Sequence, residues 1–150
     1  MRLLWLISCL ILLVGCGWIG SSGERLSWKG AVITASSDMN DNSALAVDLV
    51  VARDAMLGGQ LAALSAEQWF ERRADLRAAY GAQLDVVSWE LVPGQQWTVG
   101  AQGLPAGRTM GVYLFARYGG SGAHRTRITQ LNGTLRLYLG ARNVRVLLAP

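Results

Sequence analysis

Acidic side chains vanish from this chain after Glu90: all ten lie at or before that position, while seven arginines follow it. Histidine occurs once, at His124, and cysteine twice, at Cys9 and Cys16. One imidazole with no free thiol, both cysteines being accounted for by the amino-terminal segment read below, cannot build a typical zinc site. No carboxylate near His124 in sequence is placed to orient its ring toward a nucleophile such as Ser121, so a triad would need an acid from the N-terminal half. Asp38 and Asp41, with Asn40 and Asn42, offer oxygen ligands in one segment, but the glycine and closing glutamate of a calcium loop are missing. Glu67, Glu71 and Asp75 fall on the solvated side of a helical stretch and do not pair as catalytic acids. The residues argue for neither an enzyme nor a bound cofactor or metal.

The apolar run from Leu3 to Val14 falls short of the roughly 18 residues that a membrane-spanning helix needs. It ends in Leu13-Val14-Gly15-Cys16, which resembles the lipobox of bacterial lipoproteins. In that family the chain is cut before the cysteine, whose thiol receives a diacylglycerol and whose new amino group is acylated. Leu6-Ile7-Ser8-Cys9 also fits the loose pattern but leaves almost no apolar stretch upstream, which favours Cys16. Residues 1–15 then read as a signal peptide and residues 16–26 as a lipidated cysteine with a flexible, glycine- and serine-rich tether. Residues 27–150 read as one domain. Cys9 leaves with the signal and the Cys16 sulfur carries lipid, so no disulfide is expected. Gly17 occupies the position where an aspartate commonly retains such proteins at the inner membrane, which implies the periplasmic face of the outer membrane. Trp18, two residues from the anchor, suits a bilayer interface. An exported lipoprotein does not have nucleic acid as its partner.

Period-two alternation dominates the rest. Strands are expected at Ser27–Ala35 and around Leu45, Val47, Leu49 and Val51, separated by the turn-forming segment Ser36–Ala44. Ser65 and Gln68 have capping-box spacing, and Trp69, Phe70, Leu76 and Tyr80 follow at helical intervals until Gly81. This predicts a helix over 66–80, with a shorter one over 54–64 interrupted or frayed at Gly58-Gly59. Further strands are expected around Val87–Leu91, Trp97–Val99, Gly111–Tyr118, Arg125–Leu131, Thr134–Leu139 and Asn143–Leu148. Asn132-Gly133 reads as a hairpin turn between two of them. About eight strands with a helical insertion at 54–80 imply a mainly β protein, a small antiparallel β-sandwich. Trp28, Trp89, Trp97 and Tyr113 are expected in its core, with Trp69 and Tyr80 docking the helix. Arg125, Arg127, Arg136 and Arg145 stand at alternate strand positions and are expected to form one basic face. Such a face could hold an anionic envelope polymer or lipid, an alternative function for the chain.

The layout is similar to that of the TssJ (VasD, Lip) family, outer-membrane lipoproteins of the type VI secretion system. The likeness rests on the lipobox, on Thr34-Ala35-Ser36 ending the first strand, on Met39-Asn40 in the loop, and on Ala46-Val47-Asp48-Leu49-Val50. It continues through Trp69-Phe70 and Leu76, Trp89 leading to Pro93-Gly94-Gln95, and Gly111-Val112-Tyr113 with Tyr118. Ala44-Leu45 replaces the family's Ser-Pro, and Gln95-Gln96 replaces an acid, which marks a divergent branch. The resemblance implies a transthyretin-like sandwich within the envelope-spanning secretion complex. It also implies docking of the periplasmic C-terminal domain of the inner-membrane protein TssM through the loop between the first two strands. In this chain that loop offers Ser37, Asp38, Met39, Asn40, Asp41, Asn42 and Ser43, with Met39 as an adaptable apolar knob. Mass spectrometry of the native product should find Cys16 at the amino terminus bearing acyl chains; an unacylated terminus would remove the anchor.

Overall fold

The structure is a computed structural model and describes residues 23–147. Nine strands are described: β1 (Glu24–Ala35), β2 (Leu45–Ala52), β3 (Leu84–Leu91), β4 (Gln96–Gly100), β5 (Gly107–Thr109), β6 (Gly111–Ala116), β7 (Arg125–Arg127), β8 (Asn132–Leu139) and β9 (Val144–Leu147). Helices α1 (Ala55–Ala63) and α2 (Ala66–Tyr80) lie between β2 and β3. One sheet runs β4-β1-β8-β9, with β5 pairing the start of β1; the other runs β3-β2-β6-β7. Alternation drives their packing: Ala31, Ile33, Leu135 and Leu137 from the first sheet meet Val47, Leu49, Val51 and Leu114 from the second in one dry core. Among the described residues no helix is long and apolar enough to cross a membrane.

The sandwich is not wholly antiparallel, because β1 and β8 run parallel over Ser27↔Asn132 to Ala35↔Leu139. The expected hairpin at Asn132-Gly133 is absent for the same reason. β7 ends at Arg127 in the second sheet, Ile128–Leu131 cross to the first, and Asn132 and Gly133 already pair with Ser27 and Trp28. Gly133 does take the positive φ that an Asn-Gly turn would use (+69°), at a strand entry instead. The crossing is held by what it buries. Ile128 and Leu131 close the bottom of the core, and the Trp28 indole donates to the Gln130 carbonyl at 2.9 Å. β1 also begins three residues earlier than expected: Glu24, Arg25 and Leu26 pair with Thr109, Arg108 and Gly107, so the tether reading does not hold for them.

The helices cover the outer face of the second sheet. Asp54 caps α1 by accepting from the Leu57 N–H at 2.9 Å, and Ser65 with Gln68 completes the capping box expected for α2. Gly58-Gly59 does not interrupt α1. Gly58 is there because a Cβ would come within 3.3 Å of the Met110 carbonyl oxygen. Trp69 stacks on Phe115 with ring centroids 5.1 Å apart and is fully buried. Its indole N–H donates to Asp48 at 2.8 Å, and Arg73 reaches the same carboxylate oxygen at 3.0 Å. Asp48 is 1 % exposed, so this pair fastens the helical layer to β2 from within. The Tyr80 hydroxyl and the Gln60 amide oxygen, 2.9 Å apart, join the two helices.

Removing the carboxylate strands a buried N–H and frees a charged guanidinium. Asp48→Ala should therefore lower stability in denaturant unfolding by about 3 kcal/mol. Arg142→Ala, which breaks a solvent-exposed pair, should cost less than about 0.5 kcal/mol in the same measurement.

Candidate functional site

Four connections meet at one end of the sandwich: Ser36–Ala44 after β1, residues 92–95 between β3 and β4, 117–124 between β6 and β7, and 140–143 between β8 and β9. The first is the loop singled out in the sequence. Its stem is bonded to its neighbours, the Ser36 N–H donating to the Leu139 carbonyl at 2.9 Å and the Gly94 N–H to the Ser36 carbonyl at 3.0 Å. Asn40 ties three connections together. Its N–H donates to the Ala141 carbonyl (2.9 Å), its side-chain oxygen accepts from the Gly119 N–H (3.0 Å), and its amide nitrogen donates to the Ala44 carbonyl (2.8 Å).

The backbone explains the residue types. Asn40, Asp41 and Asn42 have φ of +49°, +51° and +62°, three successive residues in the left-handed region. That conformation is unfavourable for most L-residues, and Asn and Asp tolerate it best after glycine. The turn pushes Asp41, Asn42, Ser43 and Ala44 outward, and Ser37 and Asp38 are exposed on its ascending side. Asp41 faces Arg142 at 3.5 Å, a loose pair in water.

Met39 is the exception among the expected contacts. Its side chain is wholly buried in the main core, so it pins the loop's base and offers nothing outward. It opens a short 3-10 turn, Met39–Asn42, and is the buried residue of that turn. Cys16 and Trp18 lie outside the described residues.

Beside the loop, Tyr118 sits with its hydroxyl 3.0 and 2.9 Å from the Gly140 and Asn143 carbonyls, and burial pushes its phenol up to about 12. The His124 ring lies 5.3 Å from that of Tyr118, at a positive φ of +45°. The loop is held against α2 by the Ala66 N–H, which donates to the Ala123 carbonyl at 2.7 Å. A hollow of about 230 Å³ here is lined by Glu67, Glu71, Arg117, Tyr118 and His124. Among the described residues no carboxylate is hydrogen-bonded to His124; its Nε2 is buried without a protein partner. Nor do three of the described His, Cys, Asp or Glu residues come together as a metal site.

The four arginines expected on one face are divided between the sheets. Arg125 and Arg127 belong to β7 of the second sheet, and Arg125 donates to the Leu64 carbonyl below the helices. Arg136 and Arg145 are on the first sheet, where Arg145 stacks 4.7 Å above the Tyr138 ring. Trp97 likewise departs from its expected core position. It stands on an edge strand and is 47 % exposed.

No protein-family model and no curated protein matches the chain. Solved structures that share its fold include two secretion lipoproteins. The type VI secretion lipoprotein TssJ1 from Pseudomonas aeruginosa superposes with a TM-score of 0.58 at 15 % identity, over 85 % of this chain and 98 % of that one. Serratia marcescens Lip, a membrane-bound component of the type VI secretion system, gives 0.53 at 13 % identity, over 85 % and 100 %. The chain thus has the β-sandwich fold of these lipoproteins.

Because Asn42 is exposed, its substitution isolates the cost of the left-handed backbone. Asn42→Val should destabilise the chain by about 2 kcal/mol, whereas Asn42→Gly should stay within about 0.5 kcal/mol of the parent in chemical denaturation.

Proposed function

We propose that this protein is a non-catalytic, lipid-anchored component of a type VI secretion membrane complex, held at the periplasmic face of the outer membrane through Cys16. It docks the periplasmic C-terminal domain of TssM with the loop between β1 and β2. The observation that carries this reading is the loop's position. β1 starts at Glu24, where the chain arrives from Cys16, and runs twelve residues before reaching Ser36. At about 3.3 Å per residue the loop stands roughly 40 Å along the strand from the tether. The fold shared with TssJ1 and Lip supports the same assignment.

The loop is suited to docking by its stiffness. Asn40 fixes its crest to two neighbouring connections and Met39 fixes its base, so a partner meets a preset shape and little ordering entropy is lost on binding. Ser37, Asp38, Asp41, Asn42 and Ser43 supply the outward donors and acceptors, and Asn40 and Met39 act through the backbone they hold.

Asp38→Lys combined with Ser43→Lys, two exposed positions with ordinary negative φ, should weaken binding of the purified TssM domain at least about tenfold by titration calorimetry, with the unfolding midpoint little changed. Undiminished affinity would take the loop out of the interface. Cys16→Ser should move the protein from the membrane fraction to the soluble periplasm.

A further inference from the structure

The two outer faces of the sandwich differ. Helices cover one; neither helix packs on the other, the outer face of β4-β1-β8-β9 with β5. Strand parity sets what that face carries. Leu26 and Trp28 point into the core, so Arg25 and Lys29 point out; Thr109 is buried, so Arg108 points out. Leu135 and Leu137 face in, which turns Arg136 out, and Val144 and Val146 turn out Arg145. Five cations are thus exposed on one sheet face, and no Asp or Glu of these strands shares it. Among the described residues the ion pairs are Arg53–Asp85, Arg73–Asp48 and Arg142–Asp41, so none of the five is neutralised. Arg25 and Arg108 stand directly opposite each other on paired strands, an arrangement that like charges make unfavourable.

We propose that this face, carrying Arg25, Lys29, Arg108, Arg136 and Arg145, is the surface by which the folded body lies against an anionic phospholipid leaflet. Lipid phosphates supply what is missing, since each can take paired N–H bonds from a guanidinium and separate the two opposed arginines. Three hollows among the described residues have linings that include none of the five cations. A protein partner is usually gripped through pockets around a buried anchor, whereas a headgroup layer asks only for donors spread over a surface. The tether adds proximity, a point that rests on the reading of Cys16 as the acylated residue. The face begins at Glu24, and the seven residues after Cys16 span at most about 25 Å, which keeps the cations within reach of the bilayer. Lying this way leaves the loop at residues 36–44 free at the end of the body.

The test uses vesicle co-sedimentation of a chain starting at Gly17. It retains every described element and carries no acyl group, so the outcome is independent of lipidation and of TssM docking. Binding is expected to vesicles containing phosphatidylglycerol, to be far weaker on pure phosphatidylcholine, and to fall steeply between low and physiological salt. Each cation near an anionic surface is worth about fivefold in affinity, so Arg136→Gln with Arg145→Gln should weaken binding about 25-fold. Arg72→Gln with Arg77→Gln on α2 removes the same charge from the opposite side and should change it less than about threefold. Arg25→Gln with Arg108→Gln should weaken binding while raising the melting temperature, a combination that partial unfolding cannot produce. Equal losses from the α2 pair and the sheet pairs, indifference to phosphatidylglycerol, or tighter binding to polyglutamate than to the vesicles would each overturn the proposal, the last by assigning the face to an acidic protein.

Discussion

Strand β1 forms backbone hydrogen bonds on both sides, antiparallel to β4 and β5 and parallel to β8. A strand with a single parity over twelve residues could not keep all its apolar groups inside, given where they occur. The bulge between Trp28 and Gly30 shifts the register, so Leu26 and Trp28 point inward before it and Ala31, Ile33 and Ala35 after it. Without that shift, half of the strand would turn its leucine and indole, or its isoleucine, to water. Each of those side chains contributes about 1.5–3 kcal/mol when buried. Strand length then separates the tether from the loop, and the same parity that fills the core turns Arg25 and Lys29 out.

The second sheet solves a different problem. Its central strands, β2 and β6, are buried on both faces, completely so in β6. One face meets the first sheet and the other meets α1 and α2. The buried Asp48 is the only charged residue in the described core, and it joins α2 to β2 through a hydrogen bond and an ion pair. A carboxylate in that place also fixes which face of α2 turns inward, since only Trp69 and Arg73, one turn apart, can reach it together.

Much of this architecture was readable from residue spacing. The capping box, the limits of α2, the alternation of β2 and the polar loop after β1 are local signals, and each element formed where its own residues placed it. What escaped depended on contacts distant in sequence. Asn132-Gly133 is a good local turn, but Ile128 and Leu131 had a core to close, and their burial carried the chain across to β1. Gly58-Gly59 weakens a helix locally, yet α1 runs through it, with Gly58 packed closely on Met110. Met39 looked like a loop residue and behaves as a core residue, because it opens a short 3-10 turn whose one buried side chain is its own. The arginines at 125, 127, 136 and 145 stand at alternate positions within their strands, yet alternation groups residues into a face only within one sheet, and the sheet assignment was not in the spacing. Arg25 was hidden in a segment that reads as tether.

The parallel union of β1 with β8 bears on when this molecule can fold. The Trp28 indole meets the Gln130 carbonyl across a sequence separation of 102 residues. A chain emerging amino terminus first, from a ribosome or through an export channel, therefore has to wait for nearly its last strands before its first sheet can close. Contacts this distant make assembly slow as well as late. Until β8 is free to pair, the first sheet stays open, which is the state that threading through a narrow pore requires.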